Sequence, residues 1–430
     1  MRIVVRSEDA RQARLAQAAL SKAGIAAMAM PGPYRPAPDG EDITIVADAS
    51  ERIVSAARAS IAPPMAVLKG LLHDAPPEAG LNEGADTVSS IALDAAPSLL
   101  AAQIEAALRL AVIEEEHARR TATAGALAIA PPKSPGPRPL RALYIGAPSA
   151  FYLELERVLG ARDGSVAAAF SSFTGFDHLH DDVFDAVILN GVEEPQKALA
   201  HCAALRSNTS LMHLPTMLLT ALGDDASAAT AIQRGACTVA AAGEPFAPSL
   251  GWLFEAIRGE RRRRGAEHGL RALRDVMGEP RTGLFRLAAF DAHLTRLASD
   301  HQASGRPLSL VAVRVAPAFG ASAPADDVWR RGFSELASLA VRLLREVDSG
   351  AAFGPDVIVL ALPCSDLAAA RASAERIASV AECTAFAAGD DSAGPLVFER
   401  NAVELQPGEG GAGLLARALR QFETASASMA

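Results

Sequence analysis

Short runs of β-branched and aliphatic residues alternate with longer amphipathic stretches through the first half of the chain. RIVV (2–5), ITIV (43–46), MAVL (65–68) and VSSIAL (88–93) predict strands. Between and after them, Asp9 to Ala23 (ended by Gly24), a stretch from about Ser50, and an Ala/Leu-rich run from Ser98 to about Arg119 predict helices. The rhythm then repeats. RALYIG (141–146), FDAVILN (184–190), PTMLLT (215–220) and CTVAAA (237–242) predict strands, and a helix begins at Ser149. Strands alternating with helices give a parallel sheet covered on both faces, so the pattern predicts two tandem doubly wound domains. Between them TATAGALAIAPPKSPGPRPL (121–140) is rich in Ala, Gly and Pro and predicts an extended linker, because proline fixes φ and removes a donor.

Composition narrows the function classes. The chain has 430 residues, 50% hydrophobic and 21% charged, which suits several folded domains. A net charge of −9 argues against broad binding to phosphate backbones. The basic block Arg261 to Arg264 follows a helical run ending near Glu260 and predicts a solvated helix end. Cys202, Cys237, Cys364 and Cys383 lack metal or redox spacing, the His residues lack a ligand pair, and no cofactor is expected. Without an apolar leader or a spanning run, a cytoplasmic protein is expected, with no membrane insertion and no nucleic-acid partner.

The element order of the two α/β units resembles response-regulator receiver domains. That resemblance implies an acidic pair after the first strand, a phosphoacceptor Asp ending the third, Thr or Ser ending the fourth and Lys ending the fifth. The second unit departs from it, with Gly146 and Ala147 at the acidic pair, Asn190 at the phosphoacceptor, Thr220 retained, and Gly243 and Glu244 in place of Lys. It is expected to pack and dimerise rather than accept phosphate. In the first unit Arg6 and Ser7 stand at the acidic pair, and Ile91 falls near the Lys position. Glu8, Asp9 and Asp48 form either a shifted pocket, with Asp48 as phosphoacceptor, or ordinary surface carboxylates.

From about residue 266 the chain resembles diguanylate cyclase (GGDEF) domains, which implies an α+β nucleotidyl-cyclase-like fold. EPRTGLFRLAAFDAHLTRLA (279–298) matches the family's entry through Thr282, Gly283, Leu284 and Phe290, and RPLSLVAVRV (306–315) matches its first long strand. AAFGPDVIVLALP (351–363) matches its signature hairpin, and DLAAARASAERIASV (366–380) the helix after it. The signature, at Gly354, Pro355, Asp356, Val357 and Ile358, keeps its first glycine and Asp356 and is altered at the other three places. Pro355 has no N–H to offer a phosphate, Val357 replaces a carboxylate, and Arg314 stands where a metal-binding carboxylate is expected. GASAPADD (320–327) replaces the base-holding segment. No catalytic residue is therefore expected.

Arg345 and Asp348, five residues before the hairpin, keep the layout of the family's RxxD inhibitory site. A guanidinium fork matches guanine O6 and N7, and a carboxylate accepts from the other edge of the base. On a helix packed through Phe333, Leu336, Leu339, Leu343 and Leu344, positions i and i+3 share a face, so the two groups are expected to converge. Arg376, and Arg371 near another matching place, are implied as further clamps on cyclic di-GMP. Another copy of the pattern, Arg6-Ser7-Glu8-Asp9, has no such context, and PGEGG (407–411) predicts a turn.

The predicted units are 1–120, a linker 121–139, 140–262 and 263–430. Two receivers before a cyclase-like domain resemble PleD-type regulators. With the broken signature, this implies a homodimeric, non-catalytic cyclic-di-GMP effector acting as an adaptor in cell-cycle proteolysis. Such an effector delivers substrates to ClpXP, at times at a cell pole. Residual cyclase activity, a nucleotide-independent scaffold and phosphorelay through Asp48 remain as alternatives.

Overall fold

The structure, a computed structural model, describes residues 3–7, 9–31, 43–46, 70–73, 89–92, 97–131, 136, 138–388 and 394–427. The first unit contains β1 (Ile3–Ser7), α1 (Ala10–Lys22), β2 (Ala27–Pro31), β3 (Ile43–Val46), β4 (Gly70–His73), β5 (Ser89–Ala92) and α2 (Pro97–Ala126). Its sheet is parallel, ordered β2-β1-β3-β4-β5. Strand β2 escapes the sequence pattern because Ala and Met alternate in AMAMP without a β-branched residue. Glu8, Asp48, the helix expected from Ser50 and the strand expected at 65–68 lie outside the described residues. Asp9 caps α1 by accepting from the Arg11 amide at 2.8 Å.

The second unit contains β6 (Arg141–Ile145), α3 (Ala150–Gly160), β7 (Ser165–Ala169), α4 (Ser172–Asp181), β8 (Ala186–Asn190) and α5 (Pro195–Ser207). It continues with β9 (Thr216–Thr220), α6 (Asp225–Gln233), β10 (Thr238–Ala241) and α7 (Ala247–Met277). Its parallel sheet runs β7-β6-β8-β9-β10. Both sheets thus have the second-first-third-fourth-fifth order of flavodoxin-like folds. Gly146, at φ +131°, lies so close to Asn190 that a Cβ there would meet the Asn190 Cβ at 2.8 Å. Asn190 Nδ2 donates to the Ala147 carbonyl at 2.9 Å, tying the first loop to the end of β8.

The third unit contains α8 (Leu287–Ser304), β11 (Leu308–Pro317), α9 (Asp326–Arg342), β12 (Ser349–Phe353) and β13 (Val357–Pro363). After them come α10 (Leu367–Glu382), α11 (Ala385–Ala388), β14 (Leu396–Glu404) and α12 (Gly411–Ala427). Its sheet is antiparallel, ordered β12-β13-β11-β14. Successive residues of a strand face opposite sides. Leu308, Leu310 and Ala312 therefore enter one core with α8 and α12, while Val311, Val313 and Val315 enter another with α9 and α10. On α9, Phe333, Leu336, Ala337 and Ala340 form the buried stripe of an amphipathic helix.

Two long helices join these units and correct the expected boundaries. Helix α2, 30 residues or about 45 Å long, starts on the first sheet with Leu100, Ile104 and Ala107. It ends with Ala124 in the core of the third unit, where Leu127 and Ile129 also pack. Residues 121–126 are thus helical rather than an extended linker. Helix α7 starts in the second unit's core with Leu250, Leu253 and Phe254 and reaches the third with Leu273 and Met277. The expected boundary at residues 262–263 falls in its middle.

Arg261 to Arg264 are correspondingly part of one continuous helix, not its end. Arg261 holds Asp185, Arg262 holds Glu114 of α2, and Arg263 and Arg264 hold Glu260. Gly269 lets the two helices approach, since a Cβ there would meet the His117 ring at 2.3 Å. Among the described residues, no helix is long and apolar enough to cross a membrane.

Candidate functional site

Arg345 and Asp348 do come together, but not on a helix. Helix α9 stops at Arg342, and the pair lies in the turn leading into β12, closed by the Asp348 amide donating to the Arg345 carbonyl at 3.0 Å. Leu343 and Leu344 continue the apolar pattern past the helix, packing against the same core. The Asp348 carboxylate accepts from Arg345 Nη2 at 2.7 Å, from Nε at 3.1 Å and from the Arg345 amide at 2.8 Å. Arg345 Nη2 also donates to the Pro363 carbonyl at 2.9 Å and to Ser365 Oγ at 3.0 Å. Pro363 ends β13 and Ser365 follows it, so the turn and the far end of the hairpin strand are tied together.

The two side chains sit in different environments. Asp348 is 4% exposed and Arg345 is 52% exposed. Burial raises the Asp348 carboxyl above its ordinary value, against the pull of Arg345. For Arg345 burial opposes the charge, and the hydrogen bond to Asp348 overcomes it and raises the pKa. The arrangement is a buried acceptor capped by a half-exposed fork. Nη1 of that fork has no partner among the described residues.

Arg376 is exposed on α10 and donates to the Leu343 carbonyl at 3.2 Å, which brings it to the chain just before the turn. Arg371 is exposed on the same helix. The position of Asp48 lies outside the described residues.

The signature positions form a hairpin loop. Gly354, at φ +79°, opens the turn, and Phe353 pairs with Val357. The Pro355 carbonyl accepts from Trp329 Nε1 at 3.0 Å, while Val357 and Ile358 face opposite cores. The sheet register places Arg314 opposite both Val357 and Glu399. Its guanidinium lies 3.2 Å from an Asp356 oxygen and 3.5 Å from one of Glu399, and donates to the Phe422 carbonyl at 3.4 Å. The surviving acid of the signature is therefore answered by a cation of the chain itself. Among the described residues, no group of three or more His, Cys, Asp or Glu could hold a metal ion.

This geometry sets an expected result. Arg314→Asp leaves three carboxylates together and lowers stability by about 2 kcal/mol, the scale of a lost charged hydrogen bond. Millimolar Mg²⁺ restores much of that loss in thermal melts, because an ion that binds the folded state stabilises it. The unsubstituted chain melts at the same temperature with or without Mg²⁺, and a rise there would contradict the guanidinium's role.

The turn is also held from below by residues that the sequence did not single out. Arg120 of α2, 1% exposed, donates from Nη2 to the carbonyls of Glu346 at 2.9 Å and Asp348 at 2.8 Å. Its Nε bonds Glu116 at 2.7 Å, and its guanidinium lies over the Phe285 ring. Glu116 also meets Arg119 at 2.6 Å and His293 Nε2 at 3.0 Å. Arg119 continues to Glu115 and Asp300, and Arg306 also pairs with Glu115. On the other side Arg271 and Arg274 of α7 lie 3.5 and 3.8 Å from the Glu346 carboxylate.

No family model and no curated protein matches the chain. Solved structures do. The GGDEF domain of DgcB from Caulobacter crescentus, in complex with c-di-GMP, is 16% identical over 36% of this chain and 89% of that one, with a TM-score of 0.30. The FimX GGDEF domain from Pseudomonas aeruginosa is 15% identical over 35% of this chain and 94% of that one, with a TM-score of 0.29. A protein described as a response regulator from Chloroflexus aurantiacus is 20% identical over 28% of this chain and 98% of that one, with a TM-score of 0.26. Likenesses at such scores assign no function.

Proposed function

We propose that the chain is a non-catalytic cyclic-di-GMP effector that reads the dinucleotide with Arg345 and Asp348. The observation that carries the reading is the turn before the hairpin, where a half-exposed guanidinium caps a buried carboxylate. The fork offers donors to guanine O6 and N7, and the carboxylate accepts from the N–H groups on the base's other edge once the pair opens. Arg376, next to the turn through Leu343, supplies a second cation for the ligand's phosphates, and Arg371 is a further exposed cation on α10. Against a cyclase stand Arg314 beside Asp356 and the replacement of N–H and carboxylate by Pro355 and Val357.

The residue pattern resembles that of PopA, a non-catalytic PleD-like regulator. On that resemblance the two α/β units are degenerate receivers that support a homodimer. The effector role is then adaptor work in cell-cycle proteolysis, delivering substrates to ClpXP. Isothermal titration of the purified chain with cyclic di-GMP tests the ligand, and binding at micromolar concentration or tighter is expected. Absence of heat and of competition would leave the scaffold reading. Incubation with GTP and Mg²⁺ tests the enzyme alternative; a cyclic dinucleotide product would overturn the non-catalytic reading.

A further inference from the structure

We infer that Arg120, on the long helix of the first unit, is a positioning residue of the nucleotide site, so that α2 sets the affinity of a turn more than two hundred residues away in sequence. The inference rests on the nucleotide reading of Arg345 and Asp348.

The geometry is specific. The turn contains two carbonyls, of Glu346 and Asp348, that point to α2, and both are taken by the same nitrogen of Arg120. That nitrogen cannot shift without releasing the backbone that carries the Asp348 carboxylate. Its own position is fixed by Glu116 on the Nε side and by the Phe285 ring against its face. Glu116 in turn is held by Arg119 and His293, and Arg119 by Asp300 of α8. Arg120 is 1% exposed, so it cannot touch a ligand arriving at the half-exposed Arg345. It acts through the backbone it holds and through its charge close to Asp348.

Opening the Arg345–Asp348 pair for a base requires the carboxylate to stay in place while the fork turns outward. Asp348 then keeps one bond within the turn, from the Arg345 amide, and its carbonyl keeps the bond from α2. A turn held from α2 is ready for the ligand, and a turn released from it has to be ordered by the ligand at a cost in affinity. Coupling is reciprocal, so nucleotide at the turn also steadies the helix.

The test uses the full chain. Arg120→Lys keeps a charge beside Glu116 but cannot span a carboxylate and two carbonyls, and Asp300→Asn loosens the same cluster without touching the turn. Titration with cyclic di-GMP should show affinity reduced about tenfold or more in Arg120→Lys, the scale of an allosteric coupling, and little changed in Asp300→Asn. Equal affinity in Arg120→Lys, or losses in both variants that merely follow their loss of stability, would overturn the inference while leaving the ligand reading intact. Failure of the unsubstituted chain to bind would remove both. A second readout needs no variant. Hydrogen exchange of the unsubstituted chain should slow over residues 115–124 of α2 when cyclic di-GMP is added, and unchanged exchange there in a chain that binds would also overturn it.

Discussion

Arg345→Ala is expected to weaken cyclic-di-GMP binding by about 3 kcal/mol, roughly a hundredfold, in titration of the purified chain. The loss has two parts. A bidentate guanidinium–guanine contact disappears, and the Asp348 carboxylate loses the fork that compensates its burial. Removing the fork leaves Asp348 with the amide of residue 345 as its remaining donor in the turn, so the carboxyl rises further above its ordinary value. The fold should survive with some loss of stability, because Arg345 is half exposed although it bonds the buried Asp348, Pro363 and Ser365. Asp348→Asn separates the parts: it keeps the fork, removes the negative charge and turns one acceptor oxygen into an amide donor. An Arg345→Ala chain that binds as tightly as the unsubstituted one would end the assignment of this turn as the nucleotide site.

The second large effect concerns stability. Glu116→Gln should destabilise the chain by about 3–5 kcal/mol, as breaking a buried ion pair on one side does. Arg119 and Arg120, 2% and 1% exposed, would be left without the carboxylate they share. Urea denaturation followed through Trp329 in the third unit reads the change, and a midpoint shift equivalent to less than about 1 kcal/mol would contradict it.

The same cluster gives a pH dependence. Burial alone would raise the Glu116 carboxyl, but His293, Arg120 and Arg119 outweigh it and hold the group well below the usual carboxylate range. Burial lowers His293, and lowers His301 to about 3. Each of these folded values lies below its unfolded one, so in each case the unfolded chain binds the proton first. Their contribution is complete above about pH 6.5, declines below it as the unfolded histidines charge, and declines more steeply below about pH 4.5 when Glu116 joins. Melting temperatures between pH 7 and pH 4 should fall monotonically. A rise on acidification would show that the cluster does not control stability.

What could be read in the sequence follows from where the physics is local. Runs such as Ile3–Val5, Ala186–Leu189 and Val357–Leu362 report their strands because burial on a sheet demands apolar residues in sequence. The Asn190 and Gly146 positions were legible for the same reason, since strand ends are fixed by those runs. The helix over 121–126 was not. TATAG looks like a linker beside five prolines from Pro131 to Pro139, and its helicity comes from packing Ala124 into a distant core. The turn at Arg345 was misplaced onto a helix because Leu343 and Leu344 extend the apolar pattern without a glycine or proline to end it. Arg120 was invisible. An arginine four residues after a glutamate reads as a solvated helical pair, and its decisive partners lie 226 and 228 residues away.

One consequence of the Arg314 side chain concerns the surroundings of the molecule rather than its fold. A counter-ion supplied by the backbone's own side chain cannot be diluted, exchanged or stripped by a chelator. The loop that carries Asp356 is thereby insulated from swings in cellular magnesium and from competition by manganese or calcium. On this geometry the loop needs no metal ion to hold its shape, because the cation that answers Asp356 is part of the chain.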